Sequence, residues 1–293
     1  MRYFLLGTDW WTDCDDAVAL RLLCRFIKQD KVRLLGIGIN ACMPDSVASV
    51  RGFLRAEGVE EIPLGIDLAA TDFDGEPPYQ RRLAEDYAPE LTNADAEDAV
   101  RLYRRLLSEA TEPIEIVEIG YPQVLAALLQ SEADDISRKS GLDLVREHVA
   151  KFWVMAGKWD ADGERENNFC SNARASHAAH ALCKLCPVPI TFLGWEVGWQ
   201  VITGDRLHTD DHLYRVLCDH GSEHGRHSWD PMLMMLALIG DAASAEYDTV
   251  RGTASVDSDT GANHFVKNND GLHTFVVKKR EDSFYEQQIN AYL

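Results

Sequence analysis

The sequence is poor in cationic residues, with 29 Lys and Arg against 48 Asp and Glu and a formal net charge of −19. This excess of negative charge disfavours nucleic acid or an anionic membrane surface as the main partner, because both are polyanions. It is compatible with cation binding, and also with simple solubility. We therefore expect neither nucleic acid nor a membrane as the partner.

Long hydrophobic runs are also lacking, since no apolar stretch approaches the ~20 residues that a membrane-spanning helix needs. The opening segment "MRYFLLGTD" has a short apolar run followed by acid, without the cleavage site of a signal peptide. Cysteines number seven, an odd count scattered through predicted regular structure. That pattern argues against a disulfide framework and favours reduced thiols, so we predict a cytoplasmic protein.

Internal repeats and Pro/Gly/Ser-rich linkers are absent as well, which predicts one domain over residues 1–293. A Gly-rich phosphate loop is also missing. The segment "GIGIN" at 36–40 has the wrong spacing for a dinucleotide-binding fingerprint.

What the chain does have is an alternation of short apolar runs and longer amphipathic stretches up to residue 195. The predicted strands are 2–8, 33–40, 62–66, 114–119, 151–156 and 189–194. The predicted helices are 15–29, 45–57, 94–109, 122–131, 140–149 and 172–185. Strands separated by helices of this length predict an α/β fold with an open, mainly parallel sheet flanked by helices.

The rhythm changes after residue 195. Helices are predicted at 207–219, 229–239 and 281–292. Between the last two, the segment 249–279 is rich in β-branched residues and turn signals. It predicts a small antiparallel β addition near the C-terminus.

Four aspartates crowd the end of the first predicted strand in "GTDWWTDCDDAVAL": Asp9, Asp13, Asp15 and Asp16. Like charges at this spacing repel and raise one another's pKa unless a cation lies among them. Helix capping needs only one or two of them. Ligands of open parallel sheets bind beyond the carboxyl ends of the strands. We therefore predict a hard cation held by carboxylate oxygens, and the residues alone leave calcium and magnesium open.

The segment "TDWWTDCDDAVAL" resembles the N-terminal signature of the inosine-uridine preferring nucleoside hydrolases, in the longer form of that motif. Four later segments are similar to family segments in the same order: "VEIGYPQVLAALL", "GERENNF", "PITFLGWEVGWQVITG" and "HSWDPMLMML". The resemblance implies an open α/β sheet with Ca²⁺ at the strand ends. It also implies hydrolysis of the N-glycosidic bond of ribonucleosides, or of a related N-ribosyl compound, by a calcium-bound water. It implies a small-molecule, nucleoside-like substrate as the partner, and a place in purine and pyrimidine salvage.

Carried over position by position, the resemblance implies a role for each matching residue. The implied Ca²⁺ ligands are the carboxylates of Asp9, Asp16 and Asp230 and the main-chain carbonyl of Gln123. The implied ribose-binding residues are Asp15, Asn40, Glu166 and Asn168. Asp9 is also our choice of general base, whereas the role of Asp13 stays open. Family members are commonly dimers or tetramers, which implies a homo-oligomer.

Three departures from the family pattern bear on the substrate. Gly7 stands where many members have an aspartate, and its loss could loosen the support behind the ion. Trp10 and Trp11 replace small or proline residues, and either line the pocket or pack in the core. Trp229 stands where inosine-uridine enzymes carry a histidine that protonates the departing base.

Without that histidine, the leaving group must be handled in another way. Trp229 is expected to contact the base, and stacking could involve Trp159, Trp195 and Trp199. His227 is an alternative acid. Two functions stay open: a Ca²⁺-dependent N-ribohydrolase, and a non-catalytic calcium- and ribose-binding protein of the same fold.

Overall fold

The computed structural model describes residues 1–59, 62–73 and 75–293. Its strands are β1 (Arg2–Thr8), β2 (Val32–Ile39), β3 (Leu64–Ile66), β4 (Glu97–Asp98), β5 (Ile114–Glu118), β6 (Val149–Met155), β7 (Glu164–Arg165), β8 (Ile190–Leu193), β9 (Ile202–Thr203), β10 (Arg226–His227), β11 (Tyr247–Val256), β12 (Ala262–Lys267) and β13 (His273–Lys278). Its helices are α1 (Asp15–Lys28), α2 (Ser46–Ala56), α3 (Gln80–Tyr87), α4 (Ala99–Ser108), α5 (Gln123–Gln130), α6 (Gly141–His148), α7 (Asn167–Cys170), α8 (Ala173–Leu185), α9 (Trp195–Gly198), α10 (His212–His220), α11 (Trp229–Ile239) and α12 (Asp282–Asn290). Within these ranges, no helix has the length and apolar character needed to cross a bilayer.

In the described ranges, eleven strands form one sheet in the order β4-β3-β2-β1-β5-β6-β8-β13-β11-β12-β7. The pairs from β4 to β13 are parallel. Strands β11, β12 and β7 add antiparallel pairs at one edge, and β9 and β10 form a separate two-stranded pair. The predicted α/β class with a mainly parallel sheet is therefore confirmed. The antiparallel addition continues the main sheet, because β13 pairs in parallel with β8.

The sheet has a hydrophobic core on each face, as the alternation along β1 shows. Phe4 and Leu6 belong to one apolar cluster, together with residues of α1, α2 and α11. Leu5 belongs to the other, with residues of α4, α5 and α8. Successive side chains of a strand point to opposite faces. A strand buried on both faces therefore reads as the continuous apolar run "YFLL".

Two helices begin later than predicted, because local side-chain caps set their first residue. Helix α4 begins at Ala99, where the Asp98 carboxylate accepts the Arg101 N–H at 2.9 Å. Helix α10 begins at His212, because Asp211 caps it through the Leu213 N–H at 2.8 Å. Helix α3 was not predicted, since four of its eight residues are charged and its apolar pattern is weak.

The strand ends meet closely at the edge where the acidic turn lies. Gly120 follows β5 and packs against the chain that leaves β1. A Cβ atom added to Gly120 would lie 2.3 Å from the Asp9 backbone nitrogen and 2.5 Å from Asn40 Oδ1. The absence of a side chain at position 120 therefore lets these three strand ends approach one another.

We expect Gly120→Ala to lower the free energy of unfolding by roughly 2–3 kcal/mol, the cost of overpacking against backbone. Urea unfolding of the purified variant measures it. Gly58→Ala is the matched control, since Gly58 has φ +67° and open space around its Cβ position. That control carries only left-handed strain of about 1 kcal/mol. An equal loss in the two variants would contradict the close contact at Gly120.

Candidate active site

Three elements bring the acidic side chains together at the carboxyl edge of the sheet. Asp9 follows β1, Asp15 and Asp16 open α1, and Asp230 lies in the first turn of α11. Carboxylate oxygens of Asp15, Asp16 and Asp230 all lie within 4.8 Å of one another. Asp9 lines the same cavity. The structure thus brings two of the three carboxylates predicted as ligands, Asp16 and Asp230, together with Asp15. The third, Asp9, borders the cavity beside them.

The turn between β1 and α1 is fixed by a buried tryptophan. Trp10 has φ +46°, in the left-handed region, and its N–H points to Asp16 Oδ1 at 3.3 Å. Its indole is buried, with ring centroids 5.5 Å from Phe53 and 5.6 Å from Tyr79. The indole N–H donates to Ser49 Oγ at 3.0 Å. Trp10 therefore packs in the core and orients the turn, whereas Trp11 is half-buried beside it.

Two residues at the start of helix α3, Tyr79 just before it and Gln80 as its first residue, hold the same turn in place. The Tyr79 hydroxyl lies 2.8 Å from the carbonyl oxygens of both Trp11 and Asp13. The side-chain amide of Gln80 donates to the carbonyl oxygen of Trp10. Sequence reasoning missed both residues. Neither belongs to a recognisable motif, and their contact with the turn arises only in the folded chain.

Burial and mutual repulsion raise the pKa of the clustered carboxyl groups. Desolvation is the main cause for Asp9, whose pKa rises to about 8, and neighbouring carboxylates add to it. Desolvation and neighbouring aspartates likewise hold the pKa values of Asp15, Asp16 and Asp230 well above the usual range. Such groups either keep their protons or bind a cation.

The chain itself supplies a cation to one aspartate of the turn. Arg226 Nε lies 2.7 Å from Asp13 Oδ1, and Nη2 lies 2.5 Å from Asp13 Oδ2. In the part of the chain that the structure describes, no lysine or arginine forms an ion pair with Asp9, Asp15, Asp16 or Asp230, although the charge of Arg226 also acts to lower the pKa of Asp15. Close carboxylate oxygens without an ion-pair partner fit a hard divalent cation. The donor set does not by itself distinguish calcium from magnesium.

The cavity is also lined by the loop segment 157–168, which leads from β6 through the short strand β7 into the first turn of α7. Glu166 and Asn168, both predicted, line this cavity of about 200 Å³, and Asn167 lies between them. The Glu166 carboxylate accepts the N–H groups of Asn168 and Gly157, each at 2.9 Å. Burial is the main cause that raises the Glu166 pKa to about 7. The loop thus presents a titratable carboxyl and an amide to the cavity.

This loop is held in place by the C-terminal strands. β7 pairs with β12, and the Asn263 side chain of β12 bridges the loop backbone. Its Oδ1 accepts the Lys158 N–H at 3.0 Å, and its Nδ2 donates to the Lys158 carbonyl at 2.7 Å. The Gly163 N–H donates to the Asn263 carbonyl at 2.9 Å.

Two tryptophans form the aromatic wall of the cavity. Trp195 and Trp229 both line it, with ring centroids 6.2 Å apart, and the Trp229 indole N–H donates to the Trp195 carbonyl at 2.8 Å. Trp199 stacks on Trp195 at 4.7 Å, and His227 stacks on Trp199 at 4.4 Å. These rings lead from the cavity to the surface, where Trp199 is exposed. Trp159 lies elsewhere, in the apolar core.

Two of the predicted site residues, Asn40 and Gln123, are not among the described residues that line the acidic cavity. Asn40 is fully buried; its Nδ2 donates to Glu118 Oε1 at 2.8 Å, and its Oδ1 accepts the Tyr121 N–H at 2.9 Å. The Gln123 side chain donates to the Asn40 carbonyl and borders a second cavity. The ribose contact of Asn40 and the calcium contact of the Gln123 carbonyl stay predictions.

Glu118, the last residue of β5, lies close to Asp9, and sequence reasoning missed it. It is fully buried, and desolvation is the main cause that raises its pKa to about 8. Its charge also acts on Asp9. The available signal was an acid at the C-terminal end of the predicted strand "IEIVE".

No family model matches this sequence, and no relative is found among curated proteins. Solved structures do share the fold. A plant nucleoside hydrolase, PpNRh1, is 17% identical over 99% of each chain, with a TM-score of 0.73. An inosine-uridine preferring nucleoside hydrolase from Bacillus anthracis is 16% identical over 100% of each chain, with a TM-score of 0.69. The type III effector protein XopQ, solved with adenosine diphosphate ribose, is 15% identical over 99% of this chain and 93% of its own, also with a TM-score of 0.69.

The fold and the buried carboxylates define an α/β protein with an acidic cavity at the strand ends. More particularly, the chain has the fold of the nucleoside hydrolases. The resemblance carried by the sequence segments is thereby confirmed at the level of the fold.

The raised carboxyl pKa values predict a cation-dependent stability profile. Without a cation, the folded state holds protons that the unfolded chain has already released, so stability falls as pH rises from about 5 to about 8. A bound divalent cation replaces those protons and removes the loss. We expect added Ca²⁺ to raise the melting temperature by roughly 5 °C at pH 8 and by less at pH 5. Differential scanning fluorimetry with chelator or Ca²⁺ measures both values.

Two variants control this measurement. Asp16→Asn removes one of the raised carboxyl groups and should reduce the shift. Asp162→Asn changes an exposed aspartate and should preserve it. Identical melting curves with chelator and with Ca²⁺ at both pH values would contradict a cation site.

Proposed function

We propose that the protein is a Ca²⁺-dependent N-ribohydrolase that cleaves ribonucleosides, or closely related N-ribosyl compounds, to free base and ribose. One observation carries the proposal. One cavity is lined by four aspartates that have no ion-pair partner among the described residues, by Glu166 and Asn168, and by two tryptophans. These surfaces match an ion, a polyhydroxyl ring and a flat aromatic group. The nucleoside hydrolases that share the fold support this interpretation.

In this proposal Ca²⁺ would be held by Asp9, Asp16 and Asp230, with the Gln123 carbonyl as a further ligand. When bound, the ion would lower the pKa of a water and help to hold the ribose hydroxyls. The carboxylates are hard oxygen donors. Those of Asp16 and Asp230 already lie within 4.8 Å of each other, and Asp9 borders the same cavity.

Asp9 is the group that would accept the proton of the attacking water. Its Oδ1 accepts the Trp11 N–H at 3.3 Å, a contact that fixes the direction of the carboxylate. Asp15, Glu166 and Asn168 would hold the ribose hydroxyls around the scissile bond, which keeps the anomeric carbon next to the water. Nearby carboxylates also favour the positive charge that develops on the sugar ring as the bond breaks.

The departing base would lie against Trp195 and Trp229. Trp229 occupies the position of the expected histidine, and no histidine is among the described residues that line the cavity. Stacking can hold a flat base and withdraw it from water, but an indole cannot protonate it at neutral pH. The proposal therefore favours bases that leave readily or that are protonated by solvent.

We expect Asp9→Asn to reduce kcat at least ~1000-fold, because an amide cannot accept the proton. In chelator the melting temperature of this variant should not fall, because the substitution removes one of the mutually repelling carboxyl groups. Asp162→Asn, an exposed substitution, should keep wild-type turnover. Normal turnover by Asp9→Asn would disprove the assigned base. Steady-state release of base, followed by absorbance, measures kcat.

We expect Trp229→Ala to lower kcat/KM by about 10- to 100-fold, the usual worth of one stacking contact. Trp199→Ala is the control, because this ring stacks behind Trp195 and is exposed outside the cavity. It should change kcat/KM less than ~3-fold. Equal losses in the two variants would argue against a base-binding wall at Trp229.

The test of the function itself is release of base and reducing sugar from a panel of purine and pyrimidine nucleosides, with Ca²⁺ or chelator. Calcium-dependent release supports the hydrolase. The preferred base then shows which leaving groups the tryptophan wall accepts.

A non-catalytic calcium- and ribose-binding protein is the second candidate. It is favoured by the missing histidine and by the effector XopQ, a protein of the same fold that was solved with adenosine diphosphate ribose. Calorimetry would decide between the two. Tight binding of ribose analogues without base release from any nucleoside would establish the second candidate and exclude the first.

A further inference from the structure

Buried hydrogen bonds to Glu118 join the ends of β2 and β5, the two strands on either side of β1. Its Oε1 accepts Nδ2–H of Asn40, at the end of β2, at 2.8 Å. The same oxygen accepts the Gly120 N–H, just beyond β5, at 3.0 Å. One carboxylate oxygen therefore connects the ends of β2 and β5.

The space for this carboxylate exists because β1 has a glycine opposite it. A Cβ atom added to Gly7 would lie 2.1 Å from Glu118 Oε2 and 2.5 Å from Oε1. The two positions are thus mutually dependent, since any side chain at residue 7 would occupy the same volume as the Glu118 carboxyl group. Many members of the resembled family have an aspartate at position 7. In this chain Gly7 leaves that space free, and Glu118 fills it with a carboxyl group from β5.

Glu118 is a costly way to fill that space. Glu118 is fully buried. Among the described residues, its Oε2 has no hydrogen-bond partner and no lysine or arginine forms an ion pair with it. An apolar side chain would fill the volume without the desolvation penalty of a carboxyl group. A feature that works against stability at the edge of a site indicates a role in that site.

We propose that Glu118 is a positioning residue for the cation site, which holds Asn40 and the Gly120–Tyr121 backbone in the arrangement that fixes Asp9. The proposal rests on the cation-dependent function proposed above. Glu118 itself is not assigned as a ligand or as a group that touches the substrate.

The route from Glu118 to Asp9 is short. Asn40 is locked at both ends of its amide, because its Oδ1 accepts the Tyr121 N–H at 2.9 Å while its Nδ2 binds Glu118. Gly120, held by the same carboxylate, packs so closely that its missing Cβ would lie 2.3 Å from the Asp9 nitrogen. A displaced Gly120 would therefore move the backbone that carries the Asp9 carboxylate.

The test is the Ca²⁺ affinity of the whole chain, measured by isothermal titration calorimetry on the wild type and four variants. We expect Glu118→Ala to weaken Ca²⁺ binding about 10- to 100-fold, as for other residues that orient metal ligands from behind. Glu118→Gln keeps the shape and one acceptor oxygen, so it should retain binding within ~5-fold. The double variant Gly7→Asp/Glu118→Ala returns a carboxylate to the vacated space from β1. It should recover most of the affinity that Glu118→Ala loses.

Glu115→Ala is the matched control on the same strand. Glu115 pairs with Arg2 at 2.5 Å and accepts the Trp153 indole N–H at 2.7 Å, away from the acidic turn. It should lower stability and leave Ca²⁺ affinity unchanged. A merely structural Glu118 would behave in the same way, and that result would overturn the proposal. Failure of the relocated carboxylate to restore binding in a folded double variant would overturn it as well.

Failure of the proposed function would look different. Wild-type protein would then bind no Ca²⁺ and release no base from any nucleoside, and Glu118 would have no cation site to position. Wild-type Ca²⁺ binding with an unaffected Glu118→Ala variant would leave the proposed function standing and reject only the role of Glu118.

Discussion

Repulsion among buried carboxylates is the constraint on which the rest of this structure depends. Asp9, Asp15, Asp16 and Asp230 converge from three elements in a place with little water, where each ionised group raises the cost of ionising the next. Hydrogen bonds from the turn and the helix ends offset part of that cost, but they do not neutralise it. These carboxyl groups consequently keep their protons at low pH. At neutral pH a bound divalent cation would offset their negative charge.

The surrounding architecture keeps those carboxylates from moving apart. Trp10 packs between core rings, residues at the start of α3 bind the carbonyls of the turn, and Arg226 holds Asp13 in an ion pair. Two glycines act in the same direction, since Gly120 lets strand ends approach closely and Gly7 leaves room for the Glu118 carboxyl group. Rigidity of this kind costs stability at the site, and the apolar clusters on the two faces of the sheet offset it.

Much of this arrangement could be predicted from local patterns. The apolar run 2–8, the helix after it and the alternation up to residue 195 follow from side-chain periodicity, which depends on neighbours in sequence. The density of aspartates in 9–16 predicted a cation for a physical reason, because charges that close need a counter-charge. Glu166, Asn168 and Asp230 were placed by resemblance, and the fold brings them into the same cavity.

What could not be predicted depends on contacts distant in sequence. Glu118 has the appearance of an ordinary charged residue until β1 is seen to have a glycine opposite it. Tyr79 and Gln80 lie at the start of a polar helix without a recognisable motif. They hold the turn by hydrogen bonds to three carbonyl groups some 65 to 70 residues earlier in the chain. The sequence left open whether Trp10 and Trp11 pack in the core or line the pocket. Adjacent residues of a turn point in different directions, so Trp10 lies in the core whereas Trp11 is half-buried.

The pairing of β7 with β12 has a consequence for when the cavity comes into being. The loop that carries Glu166 and Asn168 is braced by Asn263, almost a hundred residues further along the chain. During synthesis the aspartate turn is made first, yet the opposite wall lacks its brace until the C-terminal strands have been translated and docked. A nascent chain would thus hold the aspartate turn while the loop of Glu166 and Asn168 is still unbraced. Assembly of the complete cavity would coincide with the last stage of folding.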